Sequence, residues 1–130
     1  MRNISFALTT PQFLDGSKDV TRRMGWLFLK PGDVLQAIEK GQGLKRGESV
    51  KRLGTIQVKD VRREPLRELT DRDDGYGFEE CRREGFPHSS PPDFVHFFCA
   101  GHKGCTPSSV ITRIEFVKIP EPHRKMEVVG

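Results

Sequence analysis

The chain has 130 residues, enough for one compact domain and too few for two comfortable ones. Hydrophobic residues make up 35 %, including nine phenylalanines, so a modest core can form, while 31 % charged residues and a net charge of +4 favour an anionic partner, nucleic acid first. No apolar run reaches the roughly eighteen residues of a membrane-spanning helix, and three cysteines, an odd number, argue against a disulfide scaffold and for a reducing cytosol.

Met1 to Phe6 reads as a first strand rather than a signal peptide, with Ile4–Leu8 as its apolar run. Thr9-Thr10-Pro11 then supplies a helix start, a hydroxyl N-cap followed by proline in the first turn. Phe13 and Leu14 form the buried face of that short helix, and Gly16 ends it in the left-handed conformation. Val20-Thr21 and Trp26–Leu29 predict extended chain packed on the core. Lys30-Pro31-Gly32-Asp33 is a tight turn, and Val34–Glu39 a strand.

Gly41 to Glu48 is a glycine-rich basic loop without the spacing of a phosphate-binding loop. Arg52–Arg63 predicts a long strand with an irregularity between Val58 and Val61. Pro65–Thr70 makes a single helical turn, Asp71–Gly77 a polar loop and Phe78–Glu84 a short helix. Ser89-Ser90-Pro91-Pro92-Asp93 opens a further helix, with Phe94, Val95, Phe97 and Phe98 as its apolar face. Val110–Ile119 is the last strand, and 120–130 a loose tail after a single domain over 1–119. Strands enclosing short helices, without regular alternation, predict a small, mixed, largely antiparallel β-barrel with helices at its rim, in the α+β or mainly-β class.

Chemistry gathers first around Lys18, Thr21 and Arg22. A lysine beside other cations and partly desolvated can lose its proton and act as a base. A threonine hydroxyl next to it is then a nucleophile. The alternative is plain: two surface cations and a strand residue. The stretch Leu14-Asp15-Gly16-Ser17-Lys18-Asp19-Val20-Thr21-Arg22-Arg23, followed by Lys30-Pro31-Gly32-Asp33-Val34-Leu35, resembles the signature of ASCH domains, and Thr112-Arg113-Ile114-Glu115-Phe116 matches where that family closes its barrel. The resemblance spans about residues 4–119 and is nearest to the short ASCH proteins of bacteriophages and prophages. It implies a PUA-like β-barrel, a fold that hosts RNA-binding modules, with a cleft lined by the Lys-x-x-Thr segment.

Some bacterial ASCH proteins are amidohydrolases that remove the acetyl group of N4-acetylcytidine with a Lys, a Thr and a Glu. By that resemblance Lys18 is the base, Thr21 the nucleophile and Glu84 the carboxylate, with Glu80 the second choice; Asp71–Gly77 departs most from the hydrolases. Another branch cuts single-stranded RNA, so the fold does not fix the reaction.

Two further signals stand apart. His96, Cys99, His102 and Cys105 recur every third residue, and imidazole and thiolate are the ligands that zinc prefers. Against a zinc site stand the non-standard spacing and the breaks at Gly101 and Gly104, and no cofactor is expected; a Cys99–Cys105 disulfide is not expected in a reducing compartment. The basic pairs Arg22-Arg23, Lys45-Arg46, Lys51-Arg52, Arg62-Arg63 and Arg82-Arg83 would hold a phosphate backbone if they line one cleft. Trp26 and Tyr76 would stack on bases.

The sequence therefore predicts RNA or nucleotide-like ligand binding, with Arg22, Arg23, Trp26, Lys45 and Arg52 as ligand contacts. The alternatives are hydrolysis of an acylated cytidine, single-strand RNA cleavage, or a phage protein-interaction module.

Overall fold

The structure is a computed structural model in which residues 1–41 and 44–120 are described. The chain runs β1 (Arg2–Ser5), α1 (Thr10–Asp15), β2 (Val20–Arg23), β3 (Val34–Ile38), β4 (Arg52–Pro65), α2 (Glu68–Asp71), α3 (Tyr76–Glu84), α4 (Pro91–Ala100) and β5 (Val110–Ile119). The strands form one curled five-stranded sheet in the order β1-β3-β4-β5-β2, a half-barrel, with α2, α3 and α4 packed on one another and α3 against β2. Antiparallel pairing dominates, as expected, but β1 lies parallel to β3. Among the described residues no helix is long and apolar enough to cross a membrane.

Local chemistry accounts for most elements. Pro11 sits in the first turn of α1, and Gly16 ends it at φ 85°, its N–H donating to the Phe13 carbonyl at 3.2 Å. The expected hydroxyl cap is not made: Thr9 precedes the helix without a side-chain bond, and the Thr10 hydroxyl donates to the Phe6 carbonyl at 2.8 Å instead. In α4, by contrast, the Ser90 hydroxyl accepts from the Asp93 N–H at 3.2 Å, ahead of Pro91 in the first turn.

The Lys30–Asp33 turn is closed by Asp33 N–H to the Lys30 carbonyl at 3.1 Å. It is sewn onto β4 by Gly32 N–H to the Val58 carbonyl and Val58 N–H to the Asp33 carbonyl, both 2.8 Å. The long strand β4 slips register between Val58 and Asp60, within the expected irregular interval, and the bulge helps the strand to curl.

Two clusters bury the apolar residues. Ile4, Phe6, Phe13, Leu35, Ile56, Val58, Ile114 and Phe116 fill the concave side of the sheet, with the Phe6 ring 5.0 Å from Phe13 and 5.5 Å from Phe116. Leu66, Leu69, Cys81, Phe94, Val95, Phe98 and Ile111 bind α2, α3 and α4 to the end of the sheet.

Several expectations fail at the edges of these clusters. The first strand ends at Ser5, so that Phe6 turns inward while Leu8 is exposed. Leu14 points to solvent although Phe13 is fully buried, because a helix of six residues has a single inward position. Trp26–Leu29 is not extended: Trp26 has φ 54°, and Leu29 N–H returns to its carbonyl at 3.4 Å, making a turn. Helix α3 starts at Tyr76, inside the expected polar loop. Of the glycine-rich loop, residues 42–43 lie outside the described residues, as does 121–130 of the expected tail.

Candidate functional site

Helix α3 carries the unusual feature of the fold. Its buried positions are Gly77, Glu80, Cys81 and Glu84, so the helical period turns two carboxylates, four residues apart, toward the protein. Facing them, the β2–β5 register sets Arg22 directly opposite Arg113. Two guanidinium groups side by side on one sheet repel each other. Glu80 resolves this by lying between them: its carboxylate accepts from Arg22 at 2.5 Å and from Arg113 at 2.6 and 3.0 Å. Burial alone would raise the Glu80 carboxyl, but the bonds and charges of Arg113 and Arg22 override it and hold it at about 2, from an ordinary 4.5.

Arg22 then reaches outward to Glu84 at 3.1 Å, Glu64 at 3.2 Å and the Tyr76 hydroxyl at 3.3 Å. Burial opposes its charge, yet Glu84 and Glu80 hold its pKa above the ordinary arginine value. The far end of this chain is Lys18, buried to 3 % exposure. Its Nζ donates to the Val20 carbonyl at 2.9 Å, the Glu84 carbonyl at 2.6 Å and Glu84 Oε1 at 3.2 Å, and lies 5.6 Å from the centre of the Phe6 ring. Burial pushes the Lys18 pKa below that of an ordinary lysine; Glu84 works against this, and Arg23 and Arg22 add to it. A lysine so placed surrenders a proton more readily than one in water.

Lys18 and Thr21, three residues apart, and Glu84, more than sixty residues further on, all line one cavity of about 320 Å³. Its other walls are aromatic, chiefly Phe6, Phe86, Phe94 and Phe98, with half-exposed Phe97 at the margin. Phe97 therefore does not belong to the buried face of α4. Thr21 is buried, and its hydroxyl oxygen accepts from Arg23 Nε at 3.1 Å. The Arg23 guanidinium also donates to the Ser5 carbonyl at 2.6 Å and rides 5.5 Å from the Phe6 ring centre. No hydrogen bond joins Lys18 directly to Thr21; they share the cavity, not a bond.

The remaining expected contacts lie elsewhere. Arg22 and Arg23 are at the cavity; Trp26, Lys45 and Arg52 do not line it. Trp26 is half-buried, packed on the main core and against Phe28 at 5.5 Å. Lys45 is on the exposed loop after β3, and Arg52 opens β4, donating to Gln36 and Thr55. Other arginines of the basic pairs are engaged with acids: Arg83 with Asp19 and Glu115, Arg62 with Glu64. Of the five basic pairs, Arg22-Arg23 is therefore the one that lines this cavity among the described residues.

The four candidate zinc ligands do not converge, although Cys99 and Cys105 bring their sulfurs to 3.5 Å. His102 stacks on Phe98 at 4.2 Å and lines the cavity of Lys18, whereas His96 and Cys99 line a second cavity behind α4. Among the described residues no group of three or more His, Cys, Asp or Glu side chains converges as a metal site.

Sequence reasoning named Arg113 only as part of the closing strand, not as a site residue, and ranked Glu80 second. Only the i, i+4 spacing of Glu80 and Glu84 beside small Gly77 and Cys81 hints at an inward acidic face.

No family model matches the sequence, and no curated protein matches it. Among solved structures, the chain is similar to protein EF3133 from Enterococcus faecalis V583, of the family DUF984, with a TM-score of 0.57. The two are 15 % identical, and the match covers 86 % of this chain and 70 % of the other. At that identity the likeness bears on the fold alone.

Proposed function

We propose that the cavity binds a planar ligand the size of a nucleobase and that Lys18, Thr21 and Glu84 hydrolyse an acyl amide on it, with an N4-acylated cytidine as the substrate type. One observation carries this reading: a buried Lys–Glu pair and a threonine hydroxyl meet in a single cavity of about 320 Å³ with aromatic walls. That volume is at the small end of ligand cavities, roughly 300–1,000 Å³. Phenylalanine faces suit a flat heterocycle, which they bind by stacking. The likeness of the Lys18–Arg23 stretch to ASCH domains adds to it, as does the half-barrel, whose finer description on this reading is PUA-like.

In the reaction, Thr21 Oγ attacks the acyl carbon while Lys18, once it has given up one of its own protons, takes the hydroxyl proton. Arg23 Nε, already donating to that oxygen at 3.1 Å, eases the loss of its proton, and the negative charge of the tetrahedral intermediate develops on the acyl oxygen. The C–N bond breaks, the amine leaves with the proton from Lys18, and water releases the acyl group from Thr21 as a carboxylate. Glu84 holds the Lys18 ammonium in place between these steps.

The second reading is ligand binding without turnover, by a nucleoside or the exposed base of an RNA. Half-exposed Phe97 and exposed Leu8 at the cavity margin favour it, since they offer apolar surface to a neighbouring base. Turnover of N4-acetylcytidine by the wild type, abolished in Lys18→Ala and Thr21→Ala, is the expected result. If no cytidine forms at any enzyme concentration but calorimetry detects nucleoside binding that Lys18→Ala weakens, the binding reading replaces hydrolysis. Absence of both product and binding refutes the nucleoside site.

A further inference from the structure

At the second cavity lies one of a pair of sulfur atoms. Cys99 is the second-last residue of α4 and Cys105 follows the bend after it; their Sγ atoms are 3.5 Å apart, both partly buried and neither bonded to another cysteine. The bend that joins them is held by His102 N–H to the Cys99 carbonyl at 3.2 Å and Cys105 N–H to the His102 carbonyl at 3.0 Å. A disulfide requires about 2.05 Å between sulfurs, so closure needs an approach of about 1.5 Å. Gly104, at φ 81° and with nothing within 4 Å of where a Cβ would stand, gives the bend room to supply it.

Cys99 also lines the second cavity, of about 330 Å³, together with Val95, His96 and Pro107, which gives a small reagent a path to the sulfur. On the other side, Phe98, Gly101 and His102 line the cavity of Lys18, and His102 Nδ1 and the Phe98 carbonyl are 2.8 Å apart. Residues on the wall of the candidate site are thus contiguous with the sulfur pair. The third cysteine, Cys81, is buried to 1 % in the helical cluster against which Cys99 and Cys105 pack, and its sulfur makes no contact like theirs.

We propose that Cys99 and Cys105 form a reversible disulfide site, closed by exchange with a low-molecular-weight disulfide of the glutathione type, and that its closure reshapes the adjoining cavity wall at Phe98, Gly101 and His102. The site is independent of the reaction assigned to Lys18 and Thr21. One cysteine thiolate attacks a sulfur of the glutathione disulfide, breaking its S–S bond and releasing one glutathione thiolate. The second cysteine thiolate attacks the resulting protein–glutathione disulfide, forming the Sγ–Sγ bond and releasing the second glutathione. Two protein thiols are oxidised, one external disulfide is reduced to two thiols, and the two protons from the cysteines pass to them. Burial, with the Cys105 hydrogen bond adding to it, pushes Cys99 up to about 11, so the exchange is slow near neutrality and quickens as pH rises. A disulfide of this kind in a reducing compartment would be a transient one.

The test is intact mass and thiol counting of the folded full chain in glutathione buffers stepped from reducing to oxidising. The expected product is a monomer lighter by two hydrogens, with one of three thiols left, titrated only after unfolding, and full reversal by dithiothreitol. Cys99→Ser and Cys105→Ser should each abolish that loss and accumulate a single glutathione adduct, with circular dichroism showing that both variants fold. Amide hydrogen exchange on the oxidised wild type should change at Phe98, Gly101 and His102 and stay constant in β4. Three free thiols throughout, a disulfide involving Cys81, or a bond between chains overturns the site. A closed disulfide with unchanged exchange at Phe98, Gly101 and His102 overturns its coupling to the cavity.

Discussion

Replacing Glu80 by Gln tests whether the buried charge chain is what fastens α3 to the sheet. The carboxylate is 2 % exposed and lies between two arginines that face each other across β2 and β5. Its descent from an ordinary 4.5 to about 2 corresponds to about 3 kcal/mol of folded-state stabilisation at neutral pH. Removing one partner of a buried ion pair costs about 3–5 kcal/mol, so the two lines of reasoning agree. For 130 residues, a loss of about 3 kcal/mol lowers the melting temperature by about 11 °C.

The sign with pH follows from the depressed value. Stability from Glu80 is fully present above 4.5 and drains away as pH falls toward about 2, so the difference between wild type and Glu80→Gln should shrink from about 3 kcal/mol at pH 7 to about 1.5 kcal/mol at pH 3. Urea titrations of both proteins at the two pH values, with unchanged slopes, measure it. A difference under about 1 kcal/mol at pH 7, or one that does not change between pH 7 and 3, would refute the reasoning.

Two other outcomes follow from the same geometry. In Gly77→Ala the new Cβ overlaps the Leu69 carbonyl oxygen and stands 2.8 Å from Pro91 Cγ, so α3 must move away from α2 and α4; a loss of about 3 kcal/mol or more in urea unfolding is expected, and a loss below about 1 kcal/mol would show that the helix packing is looser than described. In Glu84→Gln the charge that raises the Lys18 pKa is gone while burial remains, so the Lys18 titration, followed by carbon NMR at its Cε, should move further down; an upward move would show that Glu84 is not the partner that keeps the proton on Lys18.

Much of the fold was legible because it is decided locally. Pro11 and Gly16 bound a helix whatever surrounds them, Ser90 before Pro91 does the same for α4, and Pro31-Gly32 turns the chain toward β3. The alternating run of β5 and the irregularity after Val58 were also readable, since strand period and its interruption are properties of the segment itself. The Lys18–Arg23 stretch could be singled out for the same reason, as could Glu84 by its resemblance to a family pattern.

Other features needed partners that no window of sequence contains. Leu14 and Phe97 look as apolar as Phe13 and Phe98, and only the placement of neighbouring elements exposes them. The parallel pairing of β1 with β3 depends on how the sheet curls, not on either strand. Arg113 reads as one more strand cation until the β2–β5 register sets it against Arg22, with Glu80 paired to both. By itself, then, the sequence determined the Pro31-Gly32 turn, the bounds of α1 and the regular run of β5, and it singled out the stretch in which Lys18, Thr21, Arg22 and Arg23 lie together. The tertiary structure alone decided which charges meet, that Trp26, Lys45 and Arg52 lie away from the cavity, and that Cys99 and Cys105 face each other, because Coulomb and packing energies depend on distances that chain order does not specify.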